Sequence, residues 1–114
     1  MFDEHLHKQW LDLREKQRIA KREKAYRDII CISGDIIRLG KQASFIGIMT
    51  PLFERDIADA YHKLGNNASA IKYYKAAVAS FEKYRSSQSL RNEDDFLSDI
   101  KSIQKKLEKL KAQT

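Results

Sequence analysis

The chain has little from which to build anything but helix. Its 114 residues include one proline and four glycines, too few for the many tight turns that sheets require. No stretch alternates apolar and polar residues as a half-buried strand would. A lone cysteine, Cys31, excludes an internal disulfide and fits a reducing compartment. It sits in Ile29-Ile30-Cys31-Ile32, where the simple expectation is a small buried hydrophobe. The most apolar window, Ala43 to Phe53, is too short to cross a bilayer and contains Gly47 and Pro51. The start, Met1 to His5, carries acid where a secretory signal needs base. The expectation is a cytoplasmic protein.

Chemistry is also sparse. No glycine-rich phosphate loop is present, because Gly34, Gly40 and Gly47 are far apart and lack a following Lys-Ser/Thr. No serine, nor Cys31, has a histidine at a spacing that argues for an activated nucleophile. His5 and His7 are two apart, so on a helix they point in different directions and make a poor metal pair. We therefore expect no catalytic residues, no metal site and no cofactor.

What is present is helical periodicity in a chain of single-domain length, 1–114. Hydrophobic residues make up 42%, enough for a thin core. Residues 1–40 read as a long helical segment, either one helix or two end to end. Ser33-Gly34 is its weak point, since glycine costs about 1 kcal/mol relative to alanine inside a helix, and Gly40 is its end. Residues 43–49 are ambiguous between a short helix and a buried extended linker. Thr50-Pro51 then marks a helix start, with threonine as cap and proline in the first turn. An apolar stripe (Ile57, Ala60, Tyr61, Leu64) stops at Gly65-Asn66-Asn67, residues that tolerate the left-handed conformation that ends a helix. A second stripe (Ala70, Ile71, Tyr74, Ala77, Val78, Phe81) runs to about Tyr84. Ala58, Ala70 and Ala77 would let the two backbones approach closely.

Arg85 to Asn92 reads as a polar loop containing Ser86, Ser87 and Ser89. Asn92 looks like a cap, followed by Glu93, Asp94 and Asp95, for a last helix over 92–112. There Phe96, Ile100, Ile103, Leu107 and Leu110 form a two-heptad seam. Burying all five would contribute on the order of 10 kcal/mol before entropy. The seam needs a partner surface, either the preceding hairpin or a second copy of the chain.

The stretch 51–84 resembles a tetratricopeptide repeat. The resemblance lies in Ala58, Tyr61 and Gly65 of the first helix and turn, and in Ala70, Ile71, Tyr74 and Ala77 of the second helix. Glu54 stands where a tryptophan is usual, and Glu82 where a proline is. The fold expected is all-α: a repeat-like antiparallel hairpin flanked by a long charged N-terminal helix and a C-terminal amphipathic helix. The resemblance implies a protein–protein interaction module, an adaptor or assembly subunit, with Arg55, Asp59, His62 and Lys63 on the face that holds a partner peptide or helix. Asp56 and Asp59 stand where the asparagines of a terminal-carboxylate clamp would be needed, so that clamp is not expected. Residues 51–112 also look like a microtubule-interacting-and-transport domain, a three-helix bundle binding helical motifs of membrane-remodelling proteins, in which the first 50 residues have no place.

A third reading starts from charge. Of the formal net +6, residues 14–27 hold +5, with seven basic residues against Glu15 and Glu23. Arg14, Arg18, Lys21 and Arg22 are the candidate basic surface for an acidic protein, a nucleic acid or a membrane. Their spread around the helix argues against the last two, because membrane insertion needs an apolar face opposite the charge.

Overall fold

Thr50-Pro51 does begin a helix. Threonine lies inside it, however, and its hydroxyl caps nothing; the capping position is Met49, with proline in the first turn. This helix and five others appear in the computed structural model, which describes residues 4–87 and 96–113. In chain order they are α1 (Glu4–Arg22), α2 (Tyr26–Gly40), α3 (Ser44–Gly47), α4 (Thr50–Lys63), α5 (Asn67–Ser87) and α6 (Leu97–Gln113). The fold is all-α, with no strand among the described residues.

The N-terminal segment is two helices, but folded back rather than end to end. The break falls at Glu23–Ala25, not at Ser33-Gly34, which lie inside α2. Lys24 takes a left-handed φ of 56°. Its amide donates to Lys21 O (3.2 Å) and that of Ala25 to Ala20 O (2.9 Å). The α4–α5 turn has the same closure: Gly65 has φ 82°, its amide donates to His62 O (3.0 Å), and that of Asn66 donates to Tyr61 O (2.9 Å). These bonds satisfy the orphan carbonyls at each helix end. Asn66 Oδ1 then accepts from the Ser69 amide (3.1 Å) and caps α5.

Residues 43–49 resolve into the single turn α3. It is held close by a glycine pair. A Cβ on Gly47 would stand 2.9 Å from Gly40 O, and one on Gly40 would stand 3.2 Å from the Gly47 Cα. That approach seats Ile46 in the core beside Ile36, Leu39 and Phe53.

Packing runs in series: α1 on α2, α2 on α4, α4 on α5, α5 on α6. The molecule measures 47 × 35 × 19 Å. Its short dimension is about two helix diameters, so it is a slab two helices thick. α4 feeds all three apolar clusters, with Phe53, Ala58 and Ala60 in separate ones. The α4–α5 pair is antiparallel, as the Ser80–Glu54 and Tyr74–Asp59 hydrogen bonds show. Ala58, Ala70 and Ala77 are fully buried between these helices. α5 continues to Ser87, so Ser86 belongs to helix rather than loop. Ser89 and the expected start of the last helix at 92–95 lie outside the described residues.

The α6 seam lies on the hairpin of its own chain. Ile100, Ile103, Leu107 and Leu110 are buried with Tyr74 and Phe81. Phe96 packs on Phe81 and edge-on to Tyr84, with centroids 5.4 and 5.1 Å apart.

One residue departs from expectation, and a polar one takes the interior. Cys31 is exposed, because the buried face of α2 is Ile29, Ser33, Ile36 and Leu39 and Cys31 falls opposite it. Gln17 is buried instead. Its Nε2 donates to Ser33 Oγ (3.0 Å) and Asp56 Oδ2 (2.9 Å), tying three helices at one point. Lys21 Nζ reaches the other Asp56 oxygen at 3.4 Å.

Candidate partner-binding cleft

Four α4 residues were singled out by sequence: Arg55, Asp59, His62 and Lys63. Helical spacing of three and four puts Asp59, His62 and Lys63 on one face, and the structure brings these three together in a cleft of about 460 Å³. Arg55 is one turn away and outside it. Its guanidinium lies 3.4 Å from Asp99 of α6, a bond that fixes the helix rather than lining the opening.

The opposite wall is α6, with Lys106, Lys109, Leu110 and Gln113, and α5 contributes Tyr74. Tyr74 and Leu110 are buried and make an apolar floor. Asp59 is the centre of the polar contacts. The Tyr74 hydroxyl donates to it, and Lys106 Nζ lies 3.0 Å away. The same ammonium is 5.7 Å from the Tyr74 ring centroid, within cation–π range. Burial pushes the Tyr74 hydroxyl well above the ordinary tyrosine range, and the Asp59 hydrogen bond adds to this. Tyr74 therefore stays a protonated donor at any physiological pH. With three lysines against one aspartate the lining is net positive.

Sequence reasoning missed Tyr74, Lys106, Lys109, Leu110 and Gln113 as cleft residues. A signal for α6 existed. The heptad seam fixes which face docks, and Lys106 and Lys109 flank Leu110 on its edge.

The candidate basic surface behaves differently. Arg14 lies over the rings of Trp10 and Phe53, 5.4 and 5.7 Å from their centroids. Arg18 Nε donates to Glu15 (3.0 Å), which raises the guanidinium pKa and lowers that of the carboxyl. Lys21 reaches Asp56. Arg22 is exposed at the end of α1. Three of the four are thus engaged within the fold, and they do not converge on one opening. Among the described residues no helix is long and apolar enough to cross a membrane.

No family model matches the chain, and neither a curated protein nor a solved structure matches it.

Proposed function

We propose that this protein is a non-enzymatic interaction module, an adaptor or assembly subunit, that holds a segment of a partner protein in the cleft between α4, α5 and α6. The observation that carries this reading is the convergence of Asp59, His62 and Lys63 with α6 over an apolar floor of Tyr74 and Leu110. A concave site with an apolar base and few polar groups is the usual form of a recognition site. The serial packing of hairpins is the feature that fits a repeat-like scaffold. The three-helix membrane-remodelling reading leaves out α2, which packs along α4. The nucleic-acid reading relies on Arg14, Arg18 and Lys21, which already have partners within the chain. We place the module in the cytoplasm, where an exposed Cys31 stays reduced.

The test is a selection of random peptides displayed on phage against the full chain, counter-screened on a His62→Ala/Lys63→Glu variant. Peptides that bind the parent and lose the variant are expected. A selection that enriches nothing, or enriches peptides indifferent to the variant, would sink the reading.

A further inference from the structure

Taking the cleft as a partner site, we propose that its occupant is an acidic segment carrying an apolar side chain, and that Asp59 is the chain's own competitor for the lysine such a segment would use. Lys63 on α4 and Lys109 on α6 both line the opening. Both are exposed, and neither has an ion-pair partner among the described residues. Lys106 is the third cation. It is bound to Asp59 at 3.0 Å, but the two side chains remain 44% and 41% exposed, and an ion pair that open to water is worth little. A carboxylate from outside can therefore take its place.

The floor sets the rest of the chemistry. An inorganic anion would fill a small part of about 460 Å³ and would leave Tyr74 and Leu110 unused. A peptide segment with a short apolar centre between acids matches both the floor and the rim. Asp59 itself is held by the Tyr74 hydroxyl, so it stays in the site and holds Lys106 in reserve. An arriving carboxylate must compete with it for that ammonium and is also repelled by its charge. This sign is unusual: removing a cleft residue strengthens binding.

The experiment is an amide ¹H–¹⁵N titration of the full chain with two amidated peptides, Glu-Glu-Leu-Phe-Glu-Glu and Lys-Lys-Leu-Phe-Lys-Lys. The acidic peptide is expected to shift the amides of Tyr74, Lys109 and Leu110, and the basic one is not. Asp59→Asn keeps an acceptor for Tyr74 and removes the charge. It should tighten the acidic peptide by roughly three- to tenfold, while Lys109→Glu weakens it by a similar factor. Helical circular dichroism checks that each variant is folded, and Lys109→Glu, at an exposed position, serves if Asp59→Asn is not. Unchanged affinity in Asp59→Asn overturns the competitor role. Preference for the basic peptide, lost in Asp59→Asn, overturns the acidic class while leaving the cleft as a partner site. No shift at the cleft with either peptide also overturns the proposal, and the phage selection then judges the broader reading by itself.

Discussion

Gly65 and Lys24 do the same work with unequal means. Each adopts the left-handed conformation and closes a helix with the same two backbone bonds. For a residue with a Cβ that conformation costs roughly 1–2 kcal/mol. Nothing lies within 4 Å of a Cβ built on Gly65, so Gly65→Val should lose stability through backbone strain alone, by about 1–2 kcal/mol. For a domain this size that is a fall in Tm of several degrees by calorimetry. Lys24→Gly should move the other way. Relief of strain, offset by the greater freedom of glycine in the unfolded chain, leaves a gain of about 0.5–1 kcal/mol. A lower Tm for Lys24→Gly would mean that the lysine side chain stabilises the turn by contacts of its own. Glu54 gives a pH signature. Burial raises its carboxyl pKa, opposed by the Ser80 hydroxyl donating at 2.6 Å. The folded state thus holds this proton more tightly than the unfolded chain does. Its contribution is full below the ordinary value of 4.5 and is lost as pH rises through the raised one. Glu54→Gln should therefore raise Tm at pH 7, and the gain should vanish below about pH 4.

At the scale of elements, α6 is the exposed proposition. It packs on α5 through a seam of four buried residues and reaches α4 by two ion pairs, Arg55–Asp99 and Lys106–Asp59. Leu107→Lys would place a charge in that seam. By analogy with large-to-small core changes the loss should be about 2–5 kcal/mol, enough to detach α6. Helical ellipticity should drop while α1 to α5 keep their amide dispersion; unchanged ellipticity would show that the seam is not the holding contact. This helix, the hairpin and its alanine interface were legible because apolar spacing and Gly65 both leave marks in sequence. The α1–α2 break was not, since a left-handed lysine looks like any other lysine, and Gly34, the apparent weak point, is carried in the interior of α2. Burial of Gln17 and exposure of Cys31 were hidden for a related reason. Facing depends on where α2 and α4 lie, and residue type alone pointed the other way for both. On the cleft, the repeat resemblance pointed to the α4 face, and three of its four residues line the opening while Arg55 does not. The α6 wall was half legible: the heptad seam marks which face of α6 docks, but no local pattern encodes where on the hairpin it lands.

For the molecule as a whole, serial packing makes a definite forecast. α4 is covered by α2 on one side and α5 on the other, whereas α1 and α6 each have one principal neighbour. Amide hydrogen exchange should be slowest in α4, intermediate in α2 and α5, and fastest in α1 and α6. Equal protection throughout would indicate a single all-or-none unit instead. The seam that a second copy would need is already buried at home, so light scattering should give one 13.3 kDa chain at every concentration. A mass that doubles on concentration would point to pairing through α1 or the outer face of α6.

The 19 Å thickness has a mechanical meaning. A plate only two rods deep, whose rods are joined edge to edge, is stiff along the rods and compliant across them. The last line in that series is the α5–α6 joint, and the two jaws of the cleft, α4 and α6, stand on either side of it. Rotating α6 by a small angle about α5 changes the spacing of Lys63 and Lys109, leaves α1 and α2 as they are, and works against only the two ion pairs that tie α6 to α4. The width of the cleft is thus set by how one terminal rod seats on the plate, not by the plate itself.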